Sequence, residues 1–215
     1  MAVVIDLVRH ATSTWVEEAD ASPVKLFGGR MDEVPLSIPR GRQEALRLGC
    51  YGRANGIRPT LVVSSTAVRA LETHEFSAPS LRISQRVTPD PRLVEMSWGR
   101  WTRQPRSIAD TDRVRAARRR LGFDFAPPGG DSYNSVRDRA LPAIMEHASR
   151  ASNGSHIWVH THRNVIKAIV RQWRPEWSPV SISEVGLDVV SLTRLRYHRG
   201  RLELVFFNRP TLTAA

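Results

Sequence analysis

Residues Val3–Val8 (V-V-I-D-L-V) form a short apolar run with a single aspartate, and the run stops at Arg9-His10. Such a run predicts a buried strand of the kind an open α/β sheet supplies. At its exit a guanidinium and an imidazole stand side by side. That suits an active-site edge, although an Arg-His pair at a strand end is more often merely solvated. Whether the pair does chemistry depends on what the later strand ends carry.

Leu61-Val62-Val63 and Ile157-Trp158-Val159 read as further strands, each followed by small or polar residues and then a helix. Before the first of them, Asp20–Pro35 is rich in Gly, Pro and Asp and reads as a loop, and Ser37 or a neighbour caps a helix to about Ala54. Ser64-Ser65-Thr66 supplies capping hydroxyls for a helix over about 67–77, which puts Arg69 in its first turn. A cation is disfavoured there by the helix dipole, and a nearby anion would resolve that. Leu81–Val87 is expected to be a third strand, and Arg92–Trp101 a compact loop holding Glu95 among tryptophans. An aromatic setting would raise that carboxyl toward general-acid use.

Ile108–Leu121 reads as a basic helix, and Ala126–Gly130 as an irregular link. Asp131 or Ser132 caps the next helix, whose Val136, Ala140, Ile144 and Ala148 recur every four residues and face a core. Pro142 is expected to kink or break it. His160-Thr161-His162 precedes a helix with Val165, Ile166, Ile169, Val170 and Trp173 on its apolar face. Val189–Leu195 and Leu202–Phe207 close the chain as strands, joined as a hairpin across Arg199-Gly200.

The 215 residues suit one domain with a sizeable core. The formal charge of +11 comes from arginine, since Lys25 and Lys167 are the only lysines. That field attracts anionic small molecules as readily as nucleic acid. With no basic tail, zinc-finger spacing or aromatic-interleaved RNA motif, a dedicated nucleic-acid reader is disfavoured. The densest cluster, Arg113, Arg115, Arg118, Arg119 and Arg120, reads chiefly as a solvated helix face. Cys50 stands alone, which excludes intrachain disulfides and a multi-thiolate metal site. The chain shows no signal-peptide pattern and no membrane-length apolar run, so a soluble cytoplasmic protein without membrane contact is expected.

Parallel strands deliver their carboxyl ends to one side of the sheet, so Arg9, His10, Arg69 and His162 can converge there. Two arginines, two imidazoles and a carboxylate describe a site for a phosphoryl group, since arginine matches phosphate in bidentate geometry and histidine can attack phosphorus. The chain resembles the histidine phosphatase superfamily, which includes cofactor-dependent phosphoglycerate mutases and small-molecule phosphatases. The resemblance rests on L-V-R-H-A-T-S (Leu7–Ser13), G-R-M-D-E-V-P-L-S (Gly29–Ser37) with G-R-Q-E-A (Gly41–Ala45), and S-S-T-A-V-R-A-L-E-T (Ser64–Thr73). It continues through L-V-E-M-S-W-G-R-W (Leu93–Trp101), P-G-G-D-S (Pro128–Ser132) and H-T-H-R (His160–Arg163), all in the family's order.

The resemblance implies a three-layer α/β/α fold with a mainly parallel sheet over residues 1–215, and cap elements at 20–35 and 100–130. It implies hydrolysis of a small-molecule phosphomonoester through a phosphohistidine at His10. Arg9, Arg69 and His162 would hold the phosphoryl oxygens, Glu95 would serve as general acid and base, and Ser13 would hydrogen-bond near the phosphate. Gly28, Trp15, Trp98 and Arg163 complete the candidate substrate-binding set. The tryptophans and Phe27 would form a stacking wall or simply pack the loop. No metal or cofactor is implied, the partner is a small phosphorylated molecule, and an exposed edge strand would permit a homodimer.

Several positions depart from the family pattern. Ala11 replaces glycine after the nucleophile, Val16 replaces a common asparagine, Thr102-Arg103 replaces Glu-Gly, and Arg163-Asn164 replaces Gly-Gly. Arg163 at the pocket rim is expected to narrow the substrate range or to read a second anionic group. Three other readings stay in play: a mutase, a non-catalytic phospholigand binder, and a metal enzyme built on His156, His160 and His162. The last is disfavoured because no third ligand has convincing spacing.

Overall fold

The computed structural model describes residues 2–212. Its centre is a six-stranded sheet of order β3-β2-β4-β1-β5-β6, with β1 at Val3–Arg9, β2 at Leu61–Ser64, β3 at Val87–Pro89, β4 at His156–Thr161, β5 at Leu192–His198 and β6 at Arg201–Arg209. The first four in that order run parallel, while β5 and β6 are antiparallel additions at one side. The helices are α1 (Thr14–Ala21), α2 (Arg40–Ala54), α3 (Val68–Leu81), α4 (Asp112–Leu121), α5 (Tyr133–Arg150) and α6 (Arg163–Val170).

Alternation along β1 explains the layers. Ile5 and Leu7 point into a core closed by Val136, Ala140 and Ile144 of α5 and by Val165, Ile166 and Ile169 of α6. Val8 points the other way, into a core with Ala45 and Leu48 of α2, Leu81 of α3 and Trp158. With both faces covered, β1 has to be apolar nearly throughout. Its one acid, Asp6, is fully buried and accepts from Arg194 Nε and Nη2 (2.8 and 2.9 Å) and from His156 Nε2 (2.7 Å).

Several boundaries differ from the sequence reading. The expected third strand at 81–87 is mostly not strand: α3 runs on to Leu81, Arg82 closes it in the left-handed conformation, and only Val87–Pro89 pairs with β2. Packing of α3 along α2 carries the helix through Pro79. The eight-residue helix α1 follows β1 closely, capped by the Ser13 hydroxyl. The basic helix shortens to Asp112–Leu121, capped by Thr111, with a 3₁₀ turn over Arg106–Ala109 before it.

Pro142 breaks nothing. It lies on the exposed side of α5, where the carbonyl it frees can meet water, while Ala140, Ala143, Ile144 and Ala148 stay buried opposite. The terminal hairpin turns at Arg199-Gly200, both at positive φ (49° and 78°), as a two-residue turn requires. Among the described residues no helix is long and apolar enough to cross a membrane.

Candidate active site

The register of β1 against β4 pairs Val8 with His160 and Arg9 with Thr161, and the His10 N–H donates to the Thr161 carbonyl (3.0 Å). That register sets His10 beside His162, with ring centroids 5.2 Å apart. The turn after His10 is held bond by bond. Ala11 N donates to Thr73 Oγ1 (3.0 Å), Thr12 N and Oγ1 donate to the Glu44 carboxylate (2.7 and 3.0 Å), and Thr12 O accepts from Ser37 N (3.0 Å). A Cβ on Gly41 would overlap the Thr12 carbonyl oxygen, so the second residue of α2 has to be glycine. Ala11 keeps a negative φ and is fully buried, so the missing glycine strains nothing.

His10 Nδ1 lies 2.7 Å from the Ala11 carbonyl oxygen. A carbonyl only accepts, so Nδ1 carries the proton and Nε2 keeps its lone pair. Burial, then the neighbouring Arg69 and Arg9 guanidinium groups, push the imidazole well below its usual range. His162 is lowered too, by burial first and then by Arg69. Its Nε2 pairs with Ser65 Oγ (2.8 Å), and that hydroxyl already accepts from Ala67 N (3.2 Å). The buried Nδ1 on the other side of the ring has no partner among the described residues. Ser65, expected as a helix cap, orients this histidine instead; the N-cap of α3 is Ala67.

A cavity of about 250 Å³ opens over these rings. Nine of the ten candidate residues line it: Arg9, His10, Ser13, Trp15, Gly28, Arg69, Glu95, Trp98 and Arg163. The tenth, His162, lies fully buried beside His10. Arg69 does not depend on a bound anion to offset the helix dipole, because its Nη1 and Nη2 donate to the Met31 and Arg30 carbonyls (2.6 and 2.8 Å). Arg9 donates through Nη1 to the Leu187 carbonyl, while its buried Nε has no partner among the described residues. Burial and the adjacent Arg163 bring Arg9 down to about 10.

Glu95 is raised above the ordinary carboxylate range by burial, which outweighs the Met96 N–H (2.7 Å to Oε1), Arg69 and the Asn164 N–H (3.4 Å to Oε2). Its setting is more polar than the neighbouring tryptophans suggested. Trp98 and Trp101 stack with Phe27 (4.7 and 5.4 Å) as loop packing. Gly28 has no room for a side chain, since a Cβ would lie 2.6 Å from Trp15 Nε1. The 20–35 and 100–130 segments join there: Phe27 N donates to Gln104 O (2.9 Å), Arg103 N to Phe27 O (2.8 Å) and Arg106 N to Lys25 O (2.8 Å).

Arg163 is not free to face a ligand with its whole guanidinium, because Nη2 donates to the Val185 carbonyl (2.9 Å) and lies 3.4 Å from that of Ser183. Lys167, one turn on and fully buried, donates to Ile182 O (2.8 Å). Burial and Arg163 lower it to about 7. Arg9, Arg163 and Lys167 thus grip one wall of the cavity, residues 182–187, by its carbonyls. No sequence signal marked Lys167 or Tyr133 as belonging near the site, whereas Asn164 stood out because glycine is usual there.

The histidines of the metal reading go three ways. His156 pairs with Asp6, His160 packs against Trp158 and His74 (5.7 and 5.5 Å), and His162 meets His10. Among the described residues, no group of three or more His, Cys, Asp or Glu side chains is placed to hold a metal ion.

Among relatives, the 2,3-bisphosphoglycerate-dependent phosphoglycerate mutase of Methylobacterium sp. (strain 4-46) is 30% identical over 174 residues, covering 76% of this chain and 77% of its own. The enzyme of the same name from Parvibaculum lavamentivorans is 27% identical over 172 residues, covering 77% of each. Among solved structures, a mycobacterial glucosyl-3-phosphoglycerate phosphatase superposes with a TM-score of 0.75 at 24% identity, covering 98% of this chain and 100% of that one. Phosphoglycerate mutase from Bacillus anthracis gives 0.76 at 16%, covering 96% and 93%. Both share the fold. The family model of the histidine phosphatase superfamily, branch 1, matches residues 5–210, and the chain belongs to that superfamily.

Proposed function

We propose that the protein hydrolyses a small-molecule phosphomonoester through a phosphohistidine. The observation that carries this reading is the unprotonated His10 Nε2 at a cation-lined cavity that also holds a protonatable Glu95. In the first step Nε2 attacks phosphorus, the N–P bond forms, and the ester P–O bond breaks. Glu95 gives its proton to the departing alkoxide oxygen. The Ala11 carbonyl holds the Nδ1 proton as the ring gains positive charge. Arg9 Nε and His162 Nδ1, both buried without partners among the described residues, are the groups that would meet phosphoryl oxygens, the latter when its ring carries a proton there, where preorganised charge contributes most. In the second step water attacks phosphorus, Glu95 takes its proton, and the N–P bond breaks to release phosphate and restore His10.

A mutase is the second reading, favoured by the names of the curated relatives. It differs in whether the phosphoryl group returns to a bound sugar acid before water reaches it. Incubation with 3-phosphoglycerate separates the two: free phosphate supports the phosphatase, and isomerised phosphoglycerate without phosphate supports the mutase. Turnover of p-nitrophenyl phosphate by the wild type, absent in His10→Ala, excludes a non-catalytic binder. Equal and negligible turnover by both proteins would falsify the enzymatic reading.

A further inference from the structure

The wall at residues 182–187 is tied to the rest of the protein through its carbonyls. Val185, Gly186 and Leu187 offer their main-chain N–H groups to no partner among the described residues. Lys167 Nζ donates to Ile182 O (2.8 Å) and lies 3.4 Å from Ser183 O, Arg163 Nη2 donates to Val185 O (2.9 Å), and Arg9 Nη1 donates to Leu187 O. Ile182 and Leu187 are buried at the two ends, while Glu184 and Gly186 between them are exposed. Ser183 and Glu184 line the cavity. The segment is therefore a strap beside the site, and three cations hold it.

Of the three, Lys167 is the one whose charge is not permanent. Burial first, then Arg163, bring it down to about 7, and Arg9 and Arg106 act in the same direction against Glu95. From α5 it is faced by Tyr133, whose proton burial holds on, and the strap carries its own acid, Glu184, on the exposed side. Resting on the reading that phosphoryl oxygens meet Arg9, we infer that residues 182–187 are an occupancy-sensitive strap with Lys167 as its positioning residue. An anion bound against Arg9 and His10 draws a proton from solvent onto Lys167 Nζ, and the ammonium then grips Ile182 and Ser183 more tightly. Over an empty site the neutral amine donates weaker hydrogen bonds, so the strap loosens. The anion-bound protein holds more protons than the free protein, so anion affinity falls as pH rises above about 7.

Glutamyl endopeptidase cuts after glutamate, so a fragment ending at Glu184 reports an open strap and is identified by mass. In ligand-free wild type the rate of that cut, normalised to an unstructured peptide, is expected to rise about five- to tenfold between about pH 6 and 9. Lys167→Arg keeps its charge throughout and should stay at the low rate. Lys167→Met carries none and should show the high rate at every pH. Sulfate, a dianion shaped like a phosphoryl group that does not itself titrate in this range, tests the coupling. Calorimetry at about pH 7.5 in buffers of different ionisation enthalpy should show wild type taking up about half a proton more than either variant on binding sulfate. A cut that is flat with pH in wild type, or a pH dependence that survives in both variants, overturns the inference. So does sulfate binding with equal proton uptake in all three proteins. Failure of sulfate to bind counts against the anion site itself, and the cleavage profile then decides the strap alone.

Discussion

Replacing Glu95 by glutamine isolates the proton that the proposed first step requires. The two carboxyl oxygens face two main-chain donors, Met96 N at 2.7 Å and Asn164 N at 3.4 Å. In the variant the amide oxygen keeps the shorter bond, and the amide NH₂ is left opposing Asn164 N. Losing that longer hydrogen bond costs about 1 kcal/mol of stability, too little to unfold the domain. The chemical loss is larger. General acid catalysis is worth roughly 10²–10⁴-fold, and it is needed in proportion to the basicity of the departing oxygen. Alkyl phosphates should therefore lose about 10²–10⁴-fold in kcat/KM, whereas p-nitrophenyl phosphate, whose phenolate leaves without a proton, should lose about tenfold or less. The quantity to measure is kcat/KM over a series of aryl and alkyl phosphates, since it reports steps up to P–O cleavage. Turnover of the aryl ester would then be limited by the second step, where Glu95 acts as base. Acid-labile phosphate should accumulate on the protein after mixing. A uniform loss across the series, independent of the leaving group, would refute a proton-donating Glu95.

The pH dependence follows from the same groups. His10 is pushed well below the ordinary imidazole range and Glu95 is raised above the ordinary carboxylate range. kcat/KM should rise as His10 loses its proton and fall as Glu95 loses its own, a bell whose alkaline limb disappears in Glu95→Gln; a flat profile from about pH 5 to 8 means that neither group limits turnover. Arg163→Gly removes the anchor on Ser183 and Val185, and Ser183 lines the cavity, so KM should rise about three- to tenfold with cleavage of the 182–187 segment by added protease; an unchanged KM removes Arg163 from substrate binding. Asp6→Ala strands Arg194 and His156 without their shared carboxylate and should cost about 3–5 kcal/mol, seen as a fall in Tm of roughly 10 °C. Burial alone would raise Asp6, but its bonds to Arg194 and His156 outweigh it, and the folded value lies below the ordinary carboxylate range. The stability it contributes is thus full above that range and is lost as pH falls through the folded value. Acid unfolding of wild type and Asp6→Ala should converge there.

What could be read from the sequence is what depends on short-range pattern. The apolar runs of β1 and β4 announce two buried strands, and neighbouring parallel strands must end on one side, so His10 and His162 meet without any knowledge of the loops. Ser132 as a cap and Arg199-Gly200 as a turn follow from local hydrogen bonding and φ alone. The failures share the opposite cause. Leu81, Ile83 and Val87 look like a strand, but Leu81 belongs to a helix because α3 has α2 to lie against, a contact no window of sequence contains. Helix α1 buries only Trp15, too little to leave a periodic trace. Arg9 and Arg163 were legible as cations at strand ends, whereas their partners were not. The carbonyls they hold belong to Leu187, Ser183 and Val185, and Leu187 lies 178 positions from Arg9. Backbone carbonyls are the same in every residue, so a wall held through them carries no composition signal. Catalytic groups on strand termini are therefore legible from one chain, and the walls that choose the substrate are not.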